Sequence, residues 1–124
     1  MAESTIRKPV IWVGSSLKDL KTFPRRVQHD MGAALRVAQG GERSPDAKPL
    51  KGFKGAGVLE LMEDHDGNTY RAVYTVRLAR RVYVLHAFQK KAKKGIKTPK
   101  YVIDLIKARL KEAEQIQARL DATE

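Results

Sequence analysis

Between Val58 and Phe88 the chain alternates apolar and polar residues with a period of two, and the alternation breaks at Asp66-Gly67 and again at Leu78 to Arg80. Period two belongs to strands that bury one face, and Asp-Gly tolerates the positive φ values of a tight hairpin turn. The segment therefore predicts a meander of three antiparallel strands, Val58 to Met62, Thr69 to Arg77 and Arg81 to Phe88. A sheet of that size needs helices to cover it.

The flanking segments supply them. Val10-Ile11-Trp12-Val13, bounded by Pro9 and Gly14, is short, β-branched and aromatic, and predicts a buried strand. Ser15 or Ser16 can cap a short helix through Phe23, and Pro24 fits the first turn of a second helix to about Gln39. In the second helix Val27, Met31, Leu35 and Ala38 recur at helical spacing, and Gly40-Gly41 stops it. Residues 42 to 57, with two prolines and three glycines and no period, predict a long loop. A last helix opens with Thr98 as cap and Pro99 at its first position, with Val102, Leu105, Ile106, Ala113, Ile116 and Leu120 on one side. The expected architecture is a small single α+β domain spanning residues 1 to 124, with its core at about 10 to 120. Its expected order is β-α-α-β-β-β-α, an antiparallel meander packed against helices.

The net charge is +11, and more than half of that excess falls on residues 89 to 100, where Lys90, Lys91, Lys93, Lys94, Lys97 and Lys100 occur without an acid among them. A run of that density concentrates polyanions and invites phosphate contacts, because each neutralised phosphate releases counterions. A solvated charge run, or lysines guarding a sheet edge against pairing, accounts for the same feature without a ligand. There are no cysteines, which excludes disulfides and thiolate metal sites and suits a reducing, cytoplasmic setting. The apolar run near the N-terminus is four residues long, far short of the roughly 18 of a membrane span. No secretory or membrane-spanning segment is expected.

Taken together, "KPLKGFKGAGVLELMEDHDGNTYRAVYTV" and "VYVLHAFQKKAKKGIKTP" resemble the HigB-like branch of the RelE/ParE toxin superfamily. The shared elements are a Leu-Lys-Gly loop, a Tyr-Arg-x-x-Tyr strand (Tyr70 to Tyr74) and a Leu-x-x-Phe-x-Lys-Lys strand end (Leu85 to Lys91), in that order. The resemblance covers roughly residues 10 to 112 and implies a RelE-like fold. It also implies a ribosome-dependent mRNA endoribonuclease acting as the toxin of a type II toxin-antitoxin pair, silenced by a HigA-like helix-turn-helix antitoxin encoded beside it. One departure stands out: Met62 occupies a position where close relatives carry arginine.

Metal-free RNA cleavage uses the ribose 2′-hydroxyl as nucleophile, so the protein must stabilise extra phosphate charge and move two protons. Arg71, whose family counterpart is a catalytic arginine, offers forked donors for a phosphate, or else pairs with Glu60 on the neighbouring strand. Lys90 follows Phe88 at strand spacing and matches a basic catalytic position of the family. Lys91, Lys93, Lys94 and Lys97 extend the charge toward RNA or ribosome, and Lys51 and Lys54, flanking Gly52-Phe53, form a second basic wall or an ordinary polar loop. Glu60 and His86 are the titratable candidates, His86 being the better proton shuttle near neutrality. By simple alternation His86 shares its strand face with Phe88, Val84 and Val82, where a buried structural histidine is an equally good account. His29 and His65 lack a partner at metal-ligand spacing and no glycine-rich phosphate loop occurs, so no cofactor is expected. Two other readings compete: a ParE-like inhibitor of DNA gyrase without catalysis, and a plain basic nucleic-acid-binding module.

Overall fold

The computed structural model describes residues 7–53, 55, 57–78, 80–90 and 98–123. Eight elements follow one another: β1 (Val10–Trp12), α1 (Ser16–Leu20), α2 (Arg25–Gln39), β2 (Ala47–Pro49), β3 (Val58–His65), β4 (Asn68–Thr75), β5 (Val82–Lys90) and α3 (Lys100–Thr123). They form a small α+β domain around one five-stranded mixed sheet of order β1-β5-β4-β3-β2. The meander β3-β4-β5 is its centre. β1 adds to β5 in parallel, Val10 opposite Val82, and β2 adds to β3 antiparallel, Ala47 opposite Leu61.

β2 corrects the expected element order, which had a continuous loop here. Three residues are too few to display a period, and Pro49 argues against a strand when read alone. On a sheet edge the missing N–H costs nothing, because it has no partner to lose. The strand exists through its pairing with β3, which is a tertiary event. The bond from Leu50 N to Val58 O then closes the remaining loop, and Leu50 and Phe53 bury against the sheet.

The hairpin at Asp66-Gly67 is as expected. Asp66 has φ 50° and Gly67 φ 79°, the pair of positive values of a type I′ turn, with His65 opposite Asn68. Such a turn sets the register of β3 against β4 throughout, so Glu60 faces Val73 and Met62 faces Arg71.

Each face of the sheet carries its own core. α1 and α2 cover one face, where Leu20, Phe23, Val27, Met31 and Leu35 pack on Leu59, Leu61, Ala72, Tyr74, Val82 and Val84. α3 covers the other, with Val102, Ile106 and Ala113 on Val58, Val73, Tyr83 and Leu85. Truncating a fully buried side chain such as Met31 or Leu61 to alanine costs about 2–5 kcal/mol. Buried α3 positions include Gln117, whose side-chain oxygen accepts from Tyr83 Oη at 2.6 Å and from Arg81 Nη1 at 3.2 Å.

The register of β4 and β5 breaks once. Tyr74 faces Val84, but Val73 faces His86, which leaves Leu85 as an extra residue in β5. A β-bulge of this kind shifts the alternation by one position. Val82 and Val84 lie in the α2-side core, whereas Leu85 lies in the α3-side core and Phe88 packs against it. The expectation that His86 shares a face with Val82 and Val84 is therefore wrong, because unbroken alternation does not survive a bulge.

Candidate active site

The bulge assembles the site. With alternation shifted, His86, Phe88 and Lys90 stand opposite Val73, Arg71 and Thr69, so the end of β5 shares a face with Arg71. Cross-strand partners in a sheet project to the same side. Glu60 joins them from β3: Arg71 Nη1 donates to its Oε2 at 3.0 Å. The same Nη1 reaches Thr98 Oγ1 at 3.4 Å, which ties the residue just before α3 to the sheet. Thr98 was expected to cap α3; the first helical bond instead runs from Ile103 N to the carbonyl of Pro99.

Glu60 and Lys90 are each only 8% exposed. Lys90 Nζ and Arg71 Nε are two of four buried side-chain polar atoms without a hydrogen-bond partner among the described residues, and such atoms are rare in folded proteins. Burial, then the neighbouring Arg71 charge, lowers the Lys90 pKa below the ordinary lysine value, and Glu60 offsets part of that. Two cations and one carboxylate leave a net positive charge in a poorly solvated place. That arrangement binds an anion more strongly than the same groups in water would.

The face is bounded by apolar groups. Met62, 40% exposed, stands opposite Arg71 on β3 and contributes a thioether to this face. Phe88, opposite Arg71, stacks on the His86 ring with centroids 5.0 Å apart and planes at 17°. Lys51 is exposed in the loop whose Leu50 and Phe53 anchor on this same side of the sheet. Lys107 of α3 lies 6.0 Å from the Phe53 ring centroid and adds a further cation. Lys54, Lys91, Lys93, Lys94 and Lys97 lie outside the described residues.

His86 is held by a group that periodicity did not identify. Arg109 of α3 donates from Nη1 to the Leu85 carbonyl at 3.0 Å, meets His86 Nδ1 at 3.1 Å, and donates from Nη2 to Ser15 Oγ at 3.1 Å. Ser15 Oγ in turn donates to Asp19 Oδ2 at 2.7 Å. A guanidinium has donors only, so Nδ1 must accept and the imidazole proton resides on Nε2. Burial, then the Arg109 charge, lowers the His86 pKa, against a smaller opposing effect of Asp19. Sequence did contain one signal for Arg109: it stands three residues after Ile106 and four before Ala113, a cation inside the apolar stripe of α3.

An acidic cluster lies away from these groups. Glu63 Oε2 is buried without a partner, and burial, then the adjacent Asp46 carboxyl, raises the Glu63 pKa to about 7, with Asp30 and Asp64 adding to the effect. Among the described residues, no group of three or more His, Asp or Glu side chains is placed to hold a metal ion. Among the same residues, no helix is long and apolar enough to cross a membrane.

Fold and site together define a small basic α+β domain with a buried cationic cluster on one face of its sheet. A family model described as "Phage derived protein Gp49-like (DUF891)" matches residues 18–111, and the chain belongs to that family. The Gp49-like proteins are a phage-derived, HigB-like toxin-type family, so membership implies an antitoxin partner. No curated protein and no solved structure matches the chain.

Proposed function

We propose that this protein is the toxin of a type II toxin-antitoxin pair and cleaves mRNA on the ribosome without a metal. The observation that carries this reading is the convergence of Arg71, Lys90 and Glu60, with the Lys90 ammonium buried and unpaired at the start of the lysine run. Purely structural ion pairs close on themselves; this one leaves a cation over.

In the proposed step the 2′-oxygen bonds to phosphorus and the bond from phosphorus to the 5′-oxygen breaks. One proton leaves the 2′-hydroxyl and one reaches the 5′-oxygen. Arg71 and Lys90 hold the non-bridging oxygens as charge accumulates on them, where preorganised donors have their largest effect. Glu60 orients Arg71 and is the carboxylate assigned to the 2′-proton. Lys90, with its lowered pKa, is the better proton donor of the two cations toward the leaving oxygen. His86 is not assigned proton transfer, because Nδ1 is occupied by Arg109 and Nε2 already carries a proton. The antitoxin is a helix-turn-helix protein of the HigA type that covers this face.

Induction in growing bacteria with transcriptome-wide mapping of mRNA ends tests the reading. New ends clustered within translated codons, with growth restored by co-expressing the adjacent antitoxin, are expected. Intact mRNA accompanied by DNA damage would point to gyrase inhibition, and a harmless protein would remove the toxin assignment.

A further inference from the structure

Beside the cationic cluster, a cleft of about 340 Å³ opens between the α1 region and the outer side of β5. Asp19, Thr22 and Phe23 form one wall. The other consists of Tyr70 and of β5 from His86 to Gln89. β1 pairs only with Val82 to Val84, so the sheet ends here and the cleft takes the place of a further strand. Phe88 belongs to both sites, standing opposite Arg71 in the sheet and lining the cleft.

Its polar groups are preorganised. One guanidinium, Arg109, holds His86 through Nδ1 and holds Asp19 through Ser15. The close approach requires Gly14, where a Cβ would sit 2.7 Å from Arg109 Nε. The consequence is a fixed tautomer, with the Nε2 proton of His86 as a donor and the Asp19 carboxylate as an acceptor on one cleft. Neither is bonded to the other. Around them stand aromatic groups, the stacked His86 and Phe88 and the tilted pair Phe23 and Tyr70. A donor, an acceptor and aromatic walls in a cleft of this size suit a planar heterocycle.

We propose that this cleft takes a nucleobase of the RNA, guanine in preference to the other three, with His86 Nε2–H donating to O6 and the Asp19 carboxylate accepting from N1–H and N2–H. Guanine alone among the RNA bases presents a carbonyl next to two adjacent N–H donors. Adenine and cytosine place a ring acceptor beside a single amino group, so a carboxylate meets a lone pair. Uracil has one N–H between two carbonyls. The inference deepens the nuclease reading and rests on it: while Arg71 and Lys90 hold the phosphate, a base reached across Phe88 sets where the chain is cut.

The test is binding of 5′-GMP, AMP, CMP and UMP to the purified full-length protein, followed by calorimetry and by the NMR signals of the His86 ring. The expected result is at least a tenfold preference for GMP, with the His86 Nε2 proton shifted on binding. Asp19→Asn, which presents an amide that can still accept from Ser15, should abolish the preference. Equal binding of all four nucleotides, no binding, or a GMP preference unchanged in Asp19→Asn would overturn the assignment. The His86 signals report on the wild-type chain, so the result does not depend on the variant folding. A GMP preference in a protein that leaves mRNA intact would fault the nuclease reading and leave the cleft assignment standing. Cleavage of mRNA without any GMP preference would do the reverse.

Discussion

Arg71 and Glu60 form an ion pair between β4 and β3 at 3.0 Å, with side chains 13% and 10% exposed. A pair this sheltered is costly to break on one side only, because the survivor keeps its desolvation penalty. Arg71→Ala and Glu60→Ala should each destabilise the fold by roughly 3 kcal/mol, the lower end for a buried pair. The double variant should fall short of the sum by at least about 1 kcal/mol in urea unfolding. Strict additivity would mean the two side chains do not interact.

Lys90 should set the alkaline limit of activity. Its pKa is lowered by burial and by Arg71, so the ammonium is lost at lower pH than for an ordinary lysine. The single-turnover rate should therefore fall on the alkaline side as Lys90 deprotonates. Lys90→Arg should carry that limb upward out of range, and Lys90→Ala should lower the rate about 10²-fold, the scale for one charge-stabilising donor. An alkaline limb unchanged in Lys90→Arg would remove Lys90 from the chemical step.

Glu63 makes stability depend on pH. Its folded pKa, about 7, is raised above the ordinary carboxylate value of 4.5, so its favourable contribution is complete below the unfolded value and is lost as pH rises toward 7. Glu63→Gln removes the charge that forms in that window. Its Tm should exceed that of the parent at pH 8 and match it closely at pH 5. A gain of equal size at both pH values would mean that Glu63 does not titrate differently on folding.

Gly14→Ala should act on both backbone and site. Residue 14 has φ +58°, a conformation that costs a non-glycine residue about 1–3 kcal/mol, which denaturant unfolding would register. The new methyl also displaces the Arg109 guanidinium, which must then release Leu85, His86 or Ser15. Relieved of a neighbouring cation, His86 should titrate at higher pH than in the parent, as read by its ring resonances. An unaltered His86 titration would show that Arg109 does not control it.

Beyond Lys90, the lysine run should contribute affinity and not chemistry. Lys93→Ala or Lys94→Ala should weaken ribosome or RNA binding modestly and reduce the slope of log affinity against log salt by roughly 0.7–0.9 per lost phosphate contact. The single-turnover rate should hold. Loss of the chemical step in Lys93→Ala, with Arg71→Ala intact, would move the active site off the meander.

Much of this architecture is local and therefore legible in the chain. The Asp66-Gly67 turn, the alternation of β3 and β4 and the apolar stripe of α2 each express a preference that neighbouring residues impose on one another. The pairing of Arg71 with Glu60 follows from the same register, since the hairpin turn places the strands before any side chain is considered. β2 is different, because Ala47, Lys48 and Pro49 become a strand only once β3 offers an edge. The decisive case is Leu85. Nothing in the alternation from Val82 to Lys90 announces an extra residue, yet that one insertion turns His86, Phe88 and Lys90 onto the face of Arg71. Arg109 completes the contrast: its place in an apolar stripe marks it as unusual, but its partners Leu85, His86 and Ser15 are up to 94 positions away. Periodicity carries information over a few residues along one element. Which face a side chain reaches after a bulge, and which distant groups meet one guanidinium, are settled by packing elements against each other.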